Sequence, residues 1–102
     1  MSNANELLIS VKRKIRVTWS HEDDDILEMI EDGISYLQSK AGELPFELSD
    51  KSDLANNSRR LLKTYCRYEW NGTGAYFETD YLSDILSLQI DAAIWRRKKH
   101  EK

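Results

Sequence analysis

The 102-residue sequence has few of the residues that usually mark chemistry. It contains one cysteine, Cys66, and two histidines, His21 and His100. A single cysteine cannot form an internal disulfide, and its place in "LLKTYCRY", on a helical stripe, predicts a buried and inert thiol. Both histidines lie beside charge clusters and far from any serine or cysteine in a nucleophile context. We therefore expect no catalytic triad, no metal-hydrolase site and no enzymatic activity.

The sequence also lacks long apolar runs, because no stretch approaches the ~20 residues that a membrane span needs. Its first residues, "MSNANELLISVKRK", lack the apolar stretch and cleavage site of a secretory signal, so we expect a cytosol-like compartment. In such a compartment, the "NNS" at 56–58 and the "NGT" at 71–73 are chance matches to the glycosylation pattern. A chain this short closes one hydrophobic core, which predicts a single domain over residues 1–102.

Charge is segregated along the chain, although the formal net charge is only -3. Residues 1–17 carry a net +3, whereas residues 18–53 hold eleven acids against two lysines, a net -9. Residues 54–75 carry +3, and residues 76–102 are balanced but end in a basic cluster. The pI near 5.4 argues against a duplex-DNA binder, because neutralising phosphates needs a basic docking face.

Apolar residues recur at helical spacing in four segments. The first covers residues 4 to about 15, and the second runs from about 21 to 40 and ends near Gly42. The third ends near Glu69, and the fourth occupies the rest of the chain. Its wide apolar face predicts that the fourth helix is central, with most of its circumference buried. With no strand pattern, we predict an all-α fold, a small four-helix bundle with a short N-terminal helix and three longer helices.

Polar residues that suit helix starts precede three of these segments. Ser20 is expected to cap the second helix, with the acids that follow it near the positive end of the helix dipole. Asp50 or Ser52 is expected to cap the third helix, whose polar first turns are expected to fray. Thr79 or Asp80 is expected to cap the fourth.

Two connectors interrupt the helical pattern. "IRVTW" alternates too briefly to be more than an extended link. "AGELPFELSDKSD" contains the only proline, Pro45, and predicts a surface loop. We expect Phe46 and Leu48 to hold this loop against the core.

The stretch "EWNGTGAYF" at residues 69–77 is typical of a helix end followed by a turn. It lacks the Lys-Ser/Thr ending and the preceding strand of a phosphate-binding loop, and a hairpin would need strands on both sides. Gly72 and Gly74 are therefore expected to end the third helix. Phe77 and Trp70 are expected to pack inward, with Tyr76 exposed.

Two charged segments allow both a structural and a functional interpretation. "HEDDD" at 21–25 offers metal ligands, but consecutive residues point in different directions around a helix and acids are common at helix starts. We expect no metal and no cofactor there. "WRRKKHEK" at 95–102 is either a solvated end of the last helix or a tail, about 96–102, that docks on an acidic partner.

The order of these pieces resembles a known family. "LISVKRKIRVTWSHEDDDILEMIEDGISYL", an "AG" loop, "LLKTYCRYEWNG" and "YFETDYLSDILSLQIDAA" are similar to the head-tail connector, or adaptor, family of long-tailed bacteriophages. The resemblance covers about residues 5–95. Its most specific positions are Tyr65, Tyr68, Asn71, Gly72, Phe77, Tyr81, Leu86 and Leu88. The "TG" linker and the basic end depart from the family pattern.

The resemblance implies a virion structural protein at the head-tail interface, present in the host cytoplasm during assembly. Such adaptors form a ring, twelve-fold by family resemblance, beneath the portal protein after DNA packaging. They link the portal to a stopper or tail-completion protein, and DNA passes through the channel without specific binding. No reaction, cofactor or membrane is implied.

Within this interpretation, three groups of residues are candidates for contacts. Candidates for the channel wall or the contact between subunits are Glu22, Asp23, Asp24, Asp25, Glu28, Glu31 and Asp32, because an acidic wall would repel DNA. The +3 first and third segments could supply the complementary patch of a head-to-tail ring. Candidates for portal docking are Trp95, Arg96, Arg97, Lys98 and Lys99. Candidates for a loop contact or hinge are Gly72, Gly74 and Tyr76.

Two other functions remain open from sequence. One is a small helical regulatory protein, similar to an antitoxin, that binds a protein partner. The other is a DNA-binding helix-turn-helix module that uses the basic third helix and the C-terminal end, and this module would bind duplexes in a salt-dependent way.

Overall fold

All regular elements in the described part of the chain, residues 4–100, are helical in the computed structural model of the protein. This confirms the all-α prediction, but the helix count is five rather than four. The missed element is a four-residue helix, preceded by a 3-10 turn at Gly74–Tyr76. The five helices are α1, Ala4–Ile15; α2, Asp23–Ala41; α3, Asp53–Trp70; α4, Phe77–Asp80; and α5, Leu82–His100.

Helices α2 and α3 are the central elements of the fold. They pack against each other, and both also contact α1 and α5. The molecule is elongated, with principal extents of 45 × 29 × 18 Å. The inward faces of α1, α2 and α3 supply much of a continuous apolar core, which includes Leu7, Val11, Ile26, Ile30, Leu37, Leu62 and Cys66. Burial raises the pKa of the Cys66 thiol to about 12, which agrees with the inert thiol expected from sequence.

The start of α2 differs from the sequence prediction. The helix begins at Asp23, and the preceding Glu22 makes no side-chain cap. Ser20, the predicted cap, lies too far upstream, and only its backbone carbonyl accepts a hydrogen bond, from the Asp23 N–H at 3.1 Å. The Glu22 carboxylate instead accepts a hydrogen bond from the Trp19 indole at 2.8 Å. The acids of the first turn still face the positive end of the helix dipole.

The end of α2 lies near Gly42, as predicted. The Gly42 N–H donates to the Gln38 carbonyl at 2.8 Å, and its φ of 81° lies in the left-handed region that glycine tolerates. Arg96 of α5 reaches this end and donates from Nη1 to the carbonyls of Ala41 and Glu43, at 2.8 and 3.2 Å. A side chain at residue 42 would collide with that guanidinium. The glycine therefore ends the helix and also makes room for the arginine.

The start of α3 is capped by Ser52, one of the two predicted residues. Its hydroxyl accepts from the Ala55 N–H at 3.2 Å. The first turns are not left to fray, because Leu54 and Ala55 are buried. Nearby, the largely buried Arg59 donates to three oxygens of the preceding loop and first turn, on Glu47, Asp50 and Asn56.

The loop between α2 and α3 is held by one of the two residues expected to hold it. Phe46 is fully buried, as predicted. The side chain of Leu48 is exposed, so the prediction for that residue is wrong. The Leu48 backbone N–H is bound instead, because it donates to the Glu6 carboxylate of α1 at 3.0 Å.

Helix α5 is not the central, largely buried helix that its composition predicted. It buries one face, formed by Ile85, Leu88 and Ala92, against α2 and α3. Its start also differs, because the predicted caps Thr79 and Asp80 lie inside α4 and α5 begins at Leu82. A row of large apolar side chains on α5 remains exposed: Leu82, Leu86, Ile90 and Ile94. Among the described residues, no helix combines the length and the apolarity required to cross a bilayer.

Adjacent positions on α5 test this assignment of faces. Ile85 is buried, whereas Leu86 is about half exposed. We expect Ile85→Ala to lower the free energy of unfolding by about 2–5 kcal/mol, because it leaves a cavity in the core. Leu86→Ala should change it by no more than about 0.5 kcal/mol in dilute protein. If urea denaturation shows the same loss of unfolding free energy for both variants, the assignment of faces is wrong.

Candidate interaction surfaces

A basic groove lies where the end of α1 meets the C-terminal half of α3. We define it by Arg13, Lys14 and Arg16 from the α1 end and by Lys63 and Arg67 of α3. The larger of its two depressions has a volume of about 450 Å³ and includes Arg16, Arg67 and Asn71 in its lining. The smaller one is lined by Arg13, Lys14, Ser10 and Lys63, so the two adjoin at Arg13 and Lys14. Folding therefore joins the two segments of net positive charge into one surface.

The cations of the basic groove are not neutralised within the fold. None of the five makes an ion pair within 4.0 Å to another described residue. Four are exposed, and Lys63 is half-buried. Some of these cations are stabilised within the fold, because the last turns of α1 and α3 favour cations at the negative end of the helix dipole. The remaining charge is available to an acidic surface.

An acidic groove lies between α2 and α3. We define it by Asp25, Glu28 and Asp32 of α2 and Glu69 of α3. The three α2 residues are three and four positions apart, so they share one helix face. The groove has a volume of about 310 Å³, and its lining includes three less polar side chains, Met29, Tyr65 and Trp70. All four carboxylates belong to exposed residues.

The two grooves lie on nearly opposite sides of α3. Lys63 and Arg67 line the basic groove, whereas Tyr65 and Glu69 line the acidic groove. Residues two positions apart in an α-helix point about 200° apart. One helix therefore separates two surfaces of opposite charge.

Comparison with family models, curated proteins and solved structures finds no match.

The remaining acidic candidates divide into paired and unpaired residues. Asp23 pairs with Lys12 of α1 at 2.8 Å, and Glu22 binds Trp19, so both take part in intramolecular contacts. Asp24 and Glu31 are exposed and lie outside the acidic groove. The seven acids proposed from sequence therefore do not form one surface.

The "HEDDD" segment does not gather its polar side chains around one point. His21 stacks on the Trp19 ring at a centroid distance of 6.0 Å, and its Nε2 lies 3.6 Å from the Glu22 carboxylate. Within residues 4–100, no three His, Cys, Asp or Glu side chains are grouped so that they could hold a metal ion.

The basic C-terminal segment is helical rather than a tail, since α5 continues to His100. Residues 101–102 of the proposed tail lie outside the described residues. Arg96 holds the end of α2, and Lys99 forms an ion pair with Glu43 at 3.0 Å while lying 4.8 Å from the Trp95 ring centroid. Trp95 itself is half-buried against the core. Of the five portal-docking candidates, only Arg97 and Lys98 are both exposed and without such a contact to the described part of the chain.

The loop candidates occupy different local structures. Gly72 has a φ of 76° and follows the end of α3, so the predicted turn is confirmed there. Gly74 does not end the helix but begins the 3-10 turn, close to the Glu69 side chain. Tyr76 is exposed as predicted, next to a depression that shares Arg67 and Asn71 with the basic groove. Loop and groove therefore form a continuous surface.

The sequence prediction missed the contacts that fix α4. The Tyr36 hydroxyl of α2 donates to Glu78 at 3.0 Å, and the Tyr68 hydroxyl of α3 donates to Asp80 at 2.7 Å. Lys40 pairs with Glu78 at 3.2 Å. These bonds lower the pKa of Glu78, through Tyr36 first and then Lys40. Nothing in the local sequence pattern indicates such pairs, because Tyr36 and Glu78 are 42 residues apart.

The Tyr68–Asp80 contact can be tested by phenol titration. The hydrogen bond to the carboxylate, with burial as a smaller cause, raises the pKa of Tyr68 to about 12. Because the folded value is raised, this stabilisation is present below the ordinary tyrosine pKa of about 10 and is lost as pH rises through about 12. In Asp80→Asn, the pKa of Tyr68 should fall towards 10. Ultraviolet phenolate absorbance, with Tyr68→Phe to assign the signal, would measure the change. An unchanged titration of Asp80→Asn would contradict the contact.

Proposed function

We propose that the protein is a virion adaptor that docks as a ring beneath a bacteriophage portal. In this proposal the ring links the portal to a stopper or tail-completion protein and surrounds the channel through which DNA leaves the head. The subunits act by binding alone, without a catalytic step. The proposal joins the sequence resemblance to the charge arrangement around α3.

The observation that carries the proposal is the pair of oppositely charged grooves on two sides of α3. A ring needs two different, complementary patches on each subunit, because a cyclic head-to-tail contact is heterologous. The acidic groove of one subunit would receive the basic groove of the next. Opposite potentials would steer encounter and orient the subunits, while like-charged pairings would be disfavoured.

The proposed contact also includes the loop that follows α3. Tyr76 and Arg67 line this depression together. A subunit that covers the groove would therefore also meet the exposed ring of Tyr76. In this proposal the loop is a contact between subunits, and Gly72 sets the turn that presents it.

Passage of DNA constrains which charges can face the channel. A basic wall would bind phosphates and slow the DNA, whereas an acidic wall would repel it. In the proposed ring, the cations of the basic groove are covered by the neighbouring subunit. Of the seven acidic candidates, Asp24 and Glu31 are exposed and lie outside the acidic groove, so in this proposal they face the channel.

Charge reversals in the two grooves test the ring contact. Three changes reverse the net charge of the acidic groove: Asp25→Lys, Glu28→Lys and Asp32→Lys. Three others reverse that of the basic groove: Arg13→Glu, Lys14→Glu and Arg67→Glu. Either set alone should prevent ring assembly and infectivity, because each interface then joins like charges. The chain with all six changes should recover assembly, since its grooves are again opposite in charge. Electron microscopy of the chain mixed with its portal, and plaque counts, would measure the outcome.

A control separates charge effects at the grooves from a general charge effect. Glu47→Lys changes an exposed acid in the α2–α3 loop and should leave assembly unchanged. Failure of the six-fold variant to assemble, with both three-fold variants folded, would contradict complementarity between grooves. Normal infectivity of the Asp25/Glu28/Asp32 variant would also contradict it. Salt-dependent duplex binding by the isolated chain would favour a DNA-binding module instead.

Portal docking is assigned to the exposed cations at the end of α5. Arg97→Gln with Lys98→Gln should abolish portal binding with little change in the melting temperature, because neither side chain forms a hydrogen bond or ion pair with the described part of the chain. Arg96→Ala should instead lower the free energy of unfolding, by about 1–3 kcal/mol, because it removes charged hydrogen bonds from the α2 end. Pull-down with the portal and thermal melting distinguish the two effects. Full portal binding by the Arg97/Lys98 variant would contradict the assignment.

A further inference from the structure

A trough runs from the basic groove to the loop after α3. The larger depression of the basic groove shares Arg67 and Asn71 with a third depression, which has a volume of about 370 Å³. Tyr76, Tyr81 and Thr73 are among the residues that line this third depression. We define the trough as the basic groove together with the third depression. It therefore has a cationic end and an aromatic end.

The cationic end presents positive charge that no neighbouring acid offsets. Among the described residues, no Asp or Glu lines either depression of the basic groove. The pI near 5.4 is a property of the whole sequence, whereas the folded chain gathers five cations on one face. A basic face of this kind is what phosphate binding requires. The acidic composition therefore does not exclude phosphate binding at this surface.

Arg16 occupies the trough in a strained backbone conformation. The Val17 N–H donates to the Lys12 carbonyl at 2.9 Å, and the next N–H back, that of Arg16, donates at 3.3 Å to the carbonyl of residue 13. This helix end requires a left-handed residue at position 16, where glycine is usual, and Arg16 has a φ of 63°. Residues held in this region by the fold cluster at ligand-binding sites. Arg16 lines the larger depression of the basic groove, so the strained residue belongs to the trough.

The aromatic end offers groups that suit unpaired bases. Tyr76 is 65% exposed, and, unlike the four other tyrosines, it makes no ring contact within the described part of the chain. Any base can stack on such a ring. Asn71 and Thr73 add hydrogen-bonding groups beside it. Asp80 also lines this end, and its carboxylate, which accepts from the Tyr68 hydroxyl, can also accept from the amino group of a base.

Phosphates and accessible base faces occur together in a single strand of nucleic acid. In a duplex each base is stacked between its neighbours, so its face is not available to Tyr76. An acidic peptide would supply carboxylates for the cations, but it has no regular partner for the exposed ring. A cationic groove that continues into an aromatic platform is the arrangement by which proteins bind single strands.

We propose that the trough of the free subunit binds single-stranded nucleic acid, with phosphates on the cations of the basic groove and a base stacked on Tyr76. This binding does not rest on the proposed ring contact. The two contacts exclude each other, because both use the cations of the basic groove. In the ring these cations are covered, so DNA that passes through the channel does not meet them. The single strand is therefore a ligand of the unassembled subunit.

Fluorescence anisotropy of a labelled dT oligomer of about ten nucleotides, a length within the range of single-strand sites, tests the proposal with the full chain. Affinity should fall as salt rises, because phosphate contacts release counterions. A U oligomer of the same length distinguishes RNA from DNA as the source of the strand. The dA·dT duplex of the same length should bind more weakly than the single strand. Sedimentation identifies the protein concentrations at which the chain is not assembled.

Substitutions separate the stacking contact from the phosphate contacts. Tyr76→Ala should weaken binding about 5- to 100-fold, whereas Tyr76→Phe, which keeps the ring, should bind as the wild type does. Lys14→Gln should weaken binding and reduce the slope of log affinity against log salt by about 0.7, the contribution of one phosphate. Its matched control is Lys51→Gln, which removes an exposed lysine outside the trough and should change neither quantity.

Arg16→Gly tests whether the strained residue serves binding. It should weaken binding without lowering the melting temperature, because glycine adopts a φ of 63° without strain.

Four outcomes would overturn the proposal. They are the absence of binding to both oligomers at low salt, equal binding of the duplex, an unchanged affinity of Tyr76→Ala, and equal effects of the Lys14 and Lys51 variants. None of them bears on complementarity between the two grooves, which the six-fold variant tests separately.

Discussion

The arrangement of the last third of the chain depends on the burial of one ring, that of Phe77. It contacts tyrosines from three directions: Tyr36 of α2 at a centroid distance of 5.9 Å, Tyr65 and Tyr68 of α3 at 5.6 and 5.7 Å, and Tyr81 at 5.3 Å. Edge-to-face and stacked pairs of this kind contribute beyond the area they bury. Because Phe77 begins α4, its burial fixes where the chain turns after α3. It therefore also fixes the face that α5 presents to α2 and α3.

The hydrogen bonds around Phe77 extend this constraint to its polar neighbours. Two of the four tyrosines that contact Phe77 donate to carboxylates of α4, so the same side chains bury the ring and hold the backbone beside it. At the far end of α5, Arg96 closes the contact by binding the carbonyls at the end of α2. Helix α5 is thus anchored at both ends. An exposed row on a helix anchored in this way is presented at a fixed angle, which reduces the entropy lost when a partner binds.

The predictions from sequence that are confirmed concern helix ends whose signals lie within a few residues of the end itself. Gly42, Gly72 and Ser52 mark ends of helices by backbone geometry or by a cap within three residues, and these assignments are confirmed. Ser20 failed because a suitable cap residue does not determine where the first helical turn forms. The location of the two grooves on opposite sides of α3 could have been predicted from the spacing of Lys63, Tyr65, Arg67 and Glu69, since residues two apart point in nearly opposite directions. Which helices flank α3 on each side is a tertiary property that local pattern does not contain.

The error about α5 has a more general physical cause. A helix that is apolar around a wide arc is usually buried on that arc, but the pattern does not identify the molecule that buries it. Ile85, Leu88 and Ala92 are covered within the subunit, whereas Leu86 and Ile90 belong to the same apolar arc and are not. The hydrophobic effect acts equally on burial within a chain and burial between chains. The pattern of α5 therefore does not divide its apolar residues into buried and exposed ones until the positions of α2 and α3 are known.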